Sequence, residues 1–179
     1  SFLEVHDLWI PPYSYAEDKA HNFRCCACHP KYAFVPQSIV LYRENLQSLT
    51  FRPKKDLMQN WILLASDFEQ FLKEKSLSRK YGDLIFFHLL IGAMYLAKEE
   101  MTYKGKKIRV VAKVLKKYHA NPFVKEKLTW KACVHYTAHI QSLFWKALAF
   151  TLVFFLQVHA YSILAAVLVL MSRLGIDSL

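Results

Sequence analysis

Between Lys104 and Lys131 the chain has a single carboxylate, Glu126, and from 147 to 171 it has no residue formally charged at neutral pH. The first shortage leaves Lys104, Lys106, Lys107, Arg109, Lys113, Lys116, Lys117, Lys125, Lys127 and Lys131 as a nearly unopposed basic belt. The whole chain shares the bias: 24 Lys and Arg against 14 Asp and Glu give a net charge of +10 over 179 residues. Such an excess, joined to a high apolar content, fits a partner that is an anionic membrane or an anionic ligand. Nucleic acid is the rival, but the belt comes with no recognisable nucleic-acid module and with a hydrophobic tail, so no nucleic acid is expected. Cysteine is also scarce. Cys25, Cys26 and Cys28 crowd one helical turn and Cys133 stands far off, which excludes an easy disulfide framework and fits a reducing compartment. The segment "CCACH", with His29, lacks the second, separated pair of ligands that a tetrahedral zinc site draws on. Free buried thiols are the expectation there, and no metal site is assigned. No signal or transit segment precedes the first folded-looking residues, and Ser1 stands in mid-pattern, so a piece of a longer protein is expected.

What is present begins with "PYSYAEDKAHNFRCCACHPKYAFVP". Ser14 followed by Glu17 reads as a capping box, with Glu17 and Asp18 in the first turn of a helix that runs to about His29, where Pro30 stops it. "KYAFVP" and "SIVLYR" then supply two short β-rich runs, giving a small αββ unit. Behind Pro53 the period changes. Leu57, Trp61, Leu64, Phe68 and Phe71 mark an amphipathic helix to about Lys75, and a second, core helix follows from Tyr81 to Ala97 with His88 as a satisfied core histidine. Residues 147–171 are long enough, at about 1.5 Å per residue, to cross a hydrocarbon core of about 30 Å. Gln157 and His159 near the middle count against full spanning. The alternative is monotopic: "KACVHYTAHIQSLFWKALAF" lies along the interface with Trp130, Trp145 and the lysines at headgroup level. His135 and His139 stand at i, i+4, but with no third ligand evident interfacial packing is the preferred role.

Taken together, Glu17-Asp18, Arg24, "YAFVP", Tyr42-Arg43 and Ser48 follow one another in an order that resembles the acceptor-side segment of family-2 glycosyltransferases of the GT-A fold. The resemblance covers about Phe2 to Thr50. It implies that Asp18 is the catalytic base of an inverting sugar transfer, taking the proton of the acceptor hydroxyl, while Glu17 caps the helix and orients the acceptor. It leaves Arg43 two roles, a fork for the pyrophosphate of the substrate or a structural ion pair; Arg24 reads as structural. The family's nucleotide-binding strand and its Asp-x-Asp have no counterpart here. The chain alone is therefore expected to transfer no sugar and to hold no cofactor, nucleotide-sugar and Mg or Mn being implied only for the intact family.

The expected fold is mostly α with a small β element, the remnant of an α/β GT-A catalytic domain followed by a helical extension and a C-terminal hydrophobic helix. Its parts are residues 1–50 from the catalytic domain, 51–122 as the helical extension and 123–179 as an amphipathic and hydrophobic membrane-associated region. The expected function is the C-terminal portion of an inverting glycosyltransferase acting on a cell-envelope, lipid-linked or free saccharide acceptor at the cytoplasmic face of a membrane. Membrane lipid, that acceptor, and a missing N-terminal half or companion subunit are the partners. The alternative is a non-catalytic, basic, membrane-anchored interaction protein.

Overall fold

A computed structural model describes residues 1–10, 16–31 and 56–175. Its contacts divide the chain into two compact units, Ser1–Asp56 and Leu57–Leu179.

In the first unit α1 (Phe2–His6) is capped by Ser1 and ends at Asp7, whose φ of 53° is left-handed. The Leu8 N–H then returns to Leu3 O at 2.8 Å, and Leu8 is fully buried. The second helix, α2 (Glu17–Ala27), starts with both carboxylates in its first turn, as expected, but not through the expected capping box. Its N-cap is Ala16, left-handed at φ 63° and without a side-chain cap. Ser14, the anticipated cap, lies outside the described residues.

The second unit is a bundle of seven helices among the described residues, arranged around α4 (Ser78–Lys104). α3 (Leu57–Glu74) lays its apolar stripe, Leu57, Trp61, Leu64, Phe68 and Phe71, on α4. Two side chains fasten the centre. Trp61 Nε1 donates to His88 O at 2.9 Å, and Tyr118 Oη donates to Leu89 O at 2.8 Å. His88 stacks on Trp61 with ring centroids 4.6 Å apart and its Nε2 lies 3.0 Å from Trp61 O, a core position as its surroundings in the sequence suggested. α5 (Ile108–His119) buries Val111, Leu115, Tyr118 and His119 at i, i+4, i+7 and i+8, and keeps Arg109, Lys113, Lys116 and Lys117 in water. The central part of the basic belt is therefore the solvated face of an amphipathic helix.

Three short capped helices follow. Asn121 Oδ1 accepts from Phe123 N (3.0 Å) and Val124 N (3.4 Å) to start α6 (Pro122–Lys127). Thr129 Oγ1 accepts from Ala132 N (3.2 Å) to start α7 (Trp130–Thr137), and Ser142 Oγ accepts from Trp145 N (3.5 Å) to start α8 (Leu143–Gln157). The last helix is α9 (Tyr161–Arg173), packed on α5.

The expected fold class is corrected by this architecture. The regular structure of the described residues is all helical, with no strand among them, so they do not form an α/β remnant. The β-rich runs over 32–43 lie outside the described residues. The C-terminal hydrophobic helix is also corrected: 147–171 is not one rod but two helices broken at 158–160. His159 adopts φ 57°, and the His159 and Ala160 N–H groups return to Leu156 O and Phe155 O at 3.1 and 2.9 Å. At 1.5 Å per residue α8 and α9 are about 22 and 20 Å long, short of the ~30 Å hydrocarbon core. No helix among the described residues is long and apolar enough to cross a membrane. Gln157 and His159, the polar residues that counted against a span, sit at the break itself, where Gln157 Nε2 donates to Leu128 O at 2.7 Å.

Candidate functional site

α8 is apolar on two sides. Its inner side, Leu148, Ala149, Leu152, Val153 and Leu156, is buried in the bundle. Its outer side carries Leu143, Ala147, Phe150 and Phe154 at i, i+4, i+7 and i+11, which places them in one stripe. Leu143 is 81 % exposed and Phe154 48 %. α7 extends the stripe: the Trp130 ring meets Phe150 edge-on at 5.2 Å and Phe154 at 6.5 Å, and is itself 49 % exposed. Val134, one turn beyond Trp130, is exposed too, and at the start of α8 the exposed Phe144 and Trp145 rings pack together at 5.2 Å. Because Cys133 and Thr137 face inward, α7 turns Trp130, Lys131, Val134 and His135 outward as a set.

The electrostatics of this surface are one-signed. From Leu128 to Gly175 the sequence contains no Asp or Glu, and its formal charges are Lys131, Lys146 and Arg173. An open groove of about 610 Å³ lies beside the belt, walled by Met58, Ile62 and Leu63 with the polar Gln59, Asn60 and Ser66 of α3, and by Lys117 and Asn121. Its charged lining residue is again a lysine.

The residues singled out by sequence are scattered. Glu17 and Asp18 are both exposed on α2, and Asp18 Oδ1 accepts from Lys19 N at 2.7 Å. Arg43 lies outside the described residues, so no geometry joins it to Asp18. Arg24 is half-buried in the last turn of α2. Cys25, Cys26 and Cys28 form no disulfide among the described residues, Cys26 is exposed rather than buried, and Cys25 Sγ lies 3.5 Å from His21 Nε2. Burial raises the Cys25 thiol, and its two cysteine neighbours raise it further, while burial pushes Cys133 up to about 11; both stay protonated at neutral pH. His135 lies in α7, but His139 falls past the helix end at Thr137, so their i, i+4 spacing is not carried by one helix. No group of three or more potential metal ligands occurs among the described residues. Sequence reasoning placed Trp130, Trp145 and the lysines together at an interface, but missed Leu143, Phe144 and Phe154 as outward residues, because hydropathy alone does not tell the two sides of α8 apart.

Comparison with models of known protein families, with curated proteins and with solved structures gives no match to this chain.

Proposed function

We propose that this chain is a non-catalytic module that docks on anionic membrane surfaces through the outer side of α7 and α8. The observation that carries it is the second apolar side of α8, left open in a segment without carboxylates. A helix that is apolar all round belongs in a protein core or in lipid, and the bundle covers only half of this one. Exposed apolar surface of this kind marks either a protein interface or a membrane contact. The charge decides between a second copy and a bilayer: two chains of +10 repel, while Lys131 and Lys146 rim the patch at the level of phosphate headgroups. Trp130 and Trp145 have the amphipathic rings favoured at that depth.

The magnitudes suit reversible docking. Half-exposed Leu, Phe and Trp side chains gain on the order of 1 kcal/mol each on entering the interface, and each lysine beside anionic lipid adds about 1 kcal/mol. In this role Glu17 and Asp18 are first-turn charges that stabilise the helix dipole of α2, with no part in docking. Leu143→Glu combined with Phe154→Glu should weaken binding to phosphatidylglycerol-containing vesicles by about a hundredfold, from ~1.4 kcal/mol lost at each site. Flotation reads this, with helicity by circular dichroism as the check on folding. Unchanged binding by the folded double variant would move the contact elsewhere.

A further inference from the structure

Where α5 meets the start of α9 there is a cluster of groups that the docking surface does not use. His119 closes the buried face of α5 and is 2 % exposed. Its Nδ1 lies 3.0 Å from Oη of Tyr161, the first residue of α9, and its Nε2 is buried without a hydrogen-bond partner. The His159 ring stands 5.7 Å from His119 and 5.8 Å from Tyr161, on the left-handed turn between α8 and α9. His119 is thus a side chain by which α5 holds the beginning of α9, beside the hinge of the α8–α9 pair.

The surroundings disfavour the protonated form of this imidazole. Facing it are Tyr161 from α9, His159 from the turn and Lys125 from α6; α4 and α8, also packed on α5, add no charged group to that set. Burial holds its proton affinity below the ordinary histidine range, and His159 and Lys125 lower it further. A released His119 takes up a proton at the ordinary value, about 6.5, whereas the packed one does so only at lower pH. Stability from this contact is therefore complete above the ordinary value and declines as pH falls through it toward the packed value. Protonation would also leave a charged, buried N–H without an acceptor.

We propose that His119 and Tyr161, beside His159 in the turn, form an acid-operated latch, which holds α8 and α9 in the bundle at neutral pH and releases them into an underlying bilayer on acidification. The inference rests on the surface-binding role proposed above. The released pair suits lipid: from Leu143 to Arg173 its formal charges are Lys146 near one end and Arg173 at the other, with no carboxylate to carry inward. The sides freed by opening, with Leu148, Leu152 and Leu156 on α8 and Leu164 and Leu168 on α9, are apolar apart from Ser172 near the end of α9.

The test uses the full chain, vesicles of phosphatidylcholine with phosphatidylglycerol, and a high-salt wash after binding at pH about 7.5 and about 5, on either side of the histidine range. At neutral pH the protein should bind and wash off. On acidification a salt-resistant fraction that is absent at neutral pH should appear and become the larger part of the bound protein. His119→Gln keeps an amide beside Tyr161 Oη but gains no charge; it should bind normally at neutral pH and stay washable in acid. A merely stronger surface attraction remains salt-sensitive and is thereby separated from release. A wild-type protein that stays washable in acid overturns the latch whether or not the variant folds, and so does a folded His119→Gln that becomes salt-resistant. Loss of binding at neutral pH overturns the surface role and the latch together, whereas loss of the acid step alone overturns only the latch.

Discussion

Gly92 is the residue on which the packing of three helices turns. A Cβ built there would lie 2.8 Å from Tyr118 Oη and would collide with the Trp61 indole, the two groups that donate to Leu89 O and His88 O across the bundle. Alanine is the better helix former by about 1 kcal/mol, yet overpacking at a filled site costs about 1–3 kcal/mol and breaks well-placed hydrogen bonds. Gly92→Ala should therefore destabilise the protein by about 2 kcal/mol in urea unfolding, against the direction that propensity alone gives. The sequence shows a glycine inside a helix; it does not show which side chains from α3 and α5 pass over it. The same limit applies to Glu17 and Asp18. Their first-turn position was legible from the charge pattern, while the left-handed Ala16 that starts the helix carries no sequence signal, since alanine has no side-chain cap to offer.

At the scale of elements, period was the dependable guide. α3 follows directly from apolar spacing, because an amphipathic helix writes its buried stripe into the sequence, whereas α5, whose stripe is spaced in the same way, was read only as part of a basic belt. The C-terminal run was not legible in this way. Hydropathy sums the same for a bilayer span and for two core helices, and the break over 158–160 contains neither glycine nor proline to announce it. Instead His159 takes a left-handed conformation that costs an L-residue roughly 1–2 kcal/mol. Replacing it with glycine, which adopts that region freely, should stabilise the folded chain by about 1 kcal/mol at neutral pH, read as a higher thermal midpoint. A decrease would mean that the ring contacts of His159 with His119 and Tyr161 outweigh the strain. The site was half legible for a related reason. Tryptophans flanked by lysines mark an interface in any sequence, but which side of α8 the bundle would bury depended on where α4 and α9 came to lie.

Over the whole molecule, charge and exposed apolar surface point to the same contact. The C-terminal helices carry only positive formal charge over Leu128 to Gly175, and the indoles of that region, Trp130 and Trp145, are 49 % and 41 % exposed; of the other two, Trp61 is 5 % exposed in the core and Trp9, exposed as well, belongs to the first unit and is kept in the double variant. Contact with lipid can therefore be read from the rings of Trp130 and Trp145. The decisive measurement is fluorescence quenching by phosphatidylglycerol-containing vesicles whose acyl chains are brominated near the headgroup, for the wild type and for Trp130→Phe with Trp145→Phe. We expect the wild type to be quenched at low salt, to recover as salt is raised, and to lose most of the quenching in the double variant, with zwitterionic vesicles having little effect. Equal quenching in the double variant, or bound protein whose fluorescence the bromine leaves untouched, would contradict docking through α7 and α8.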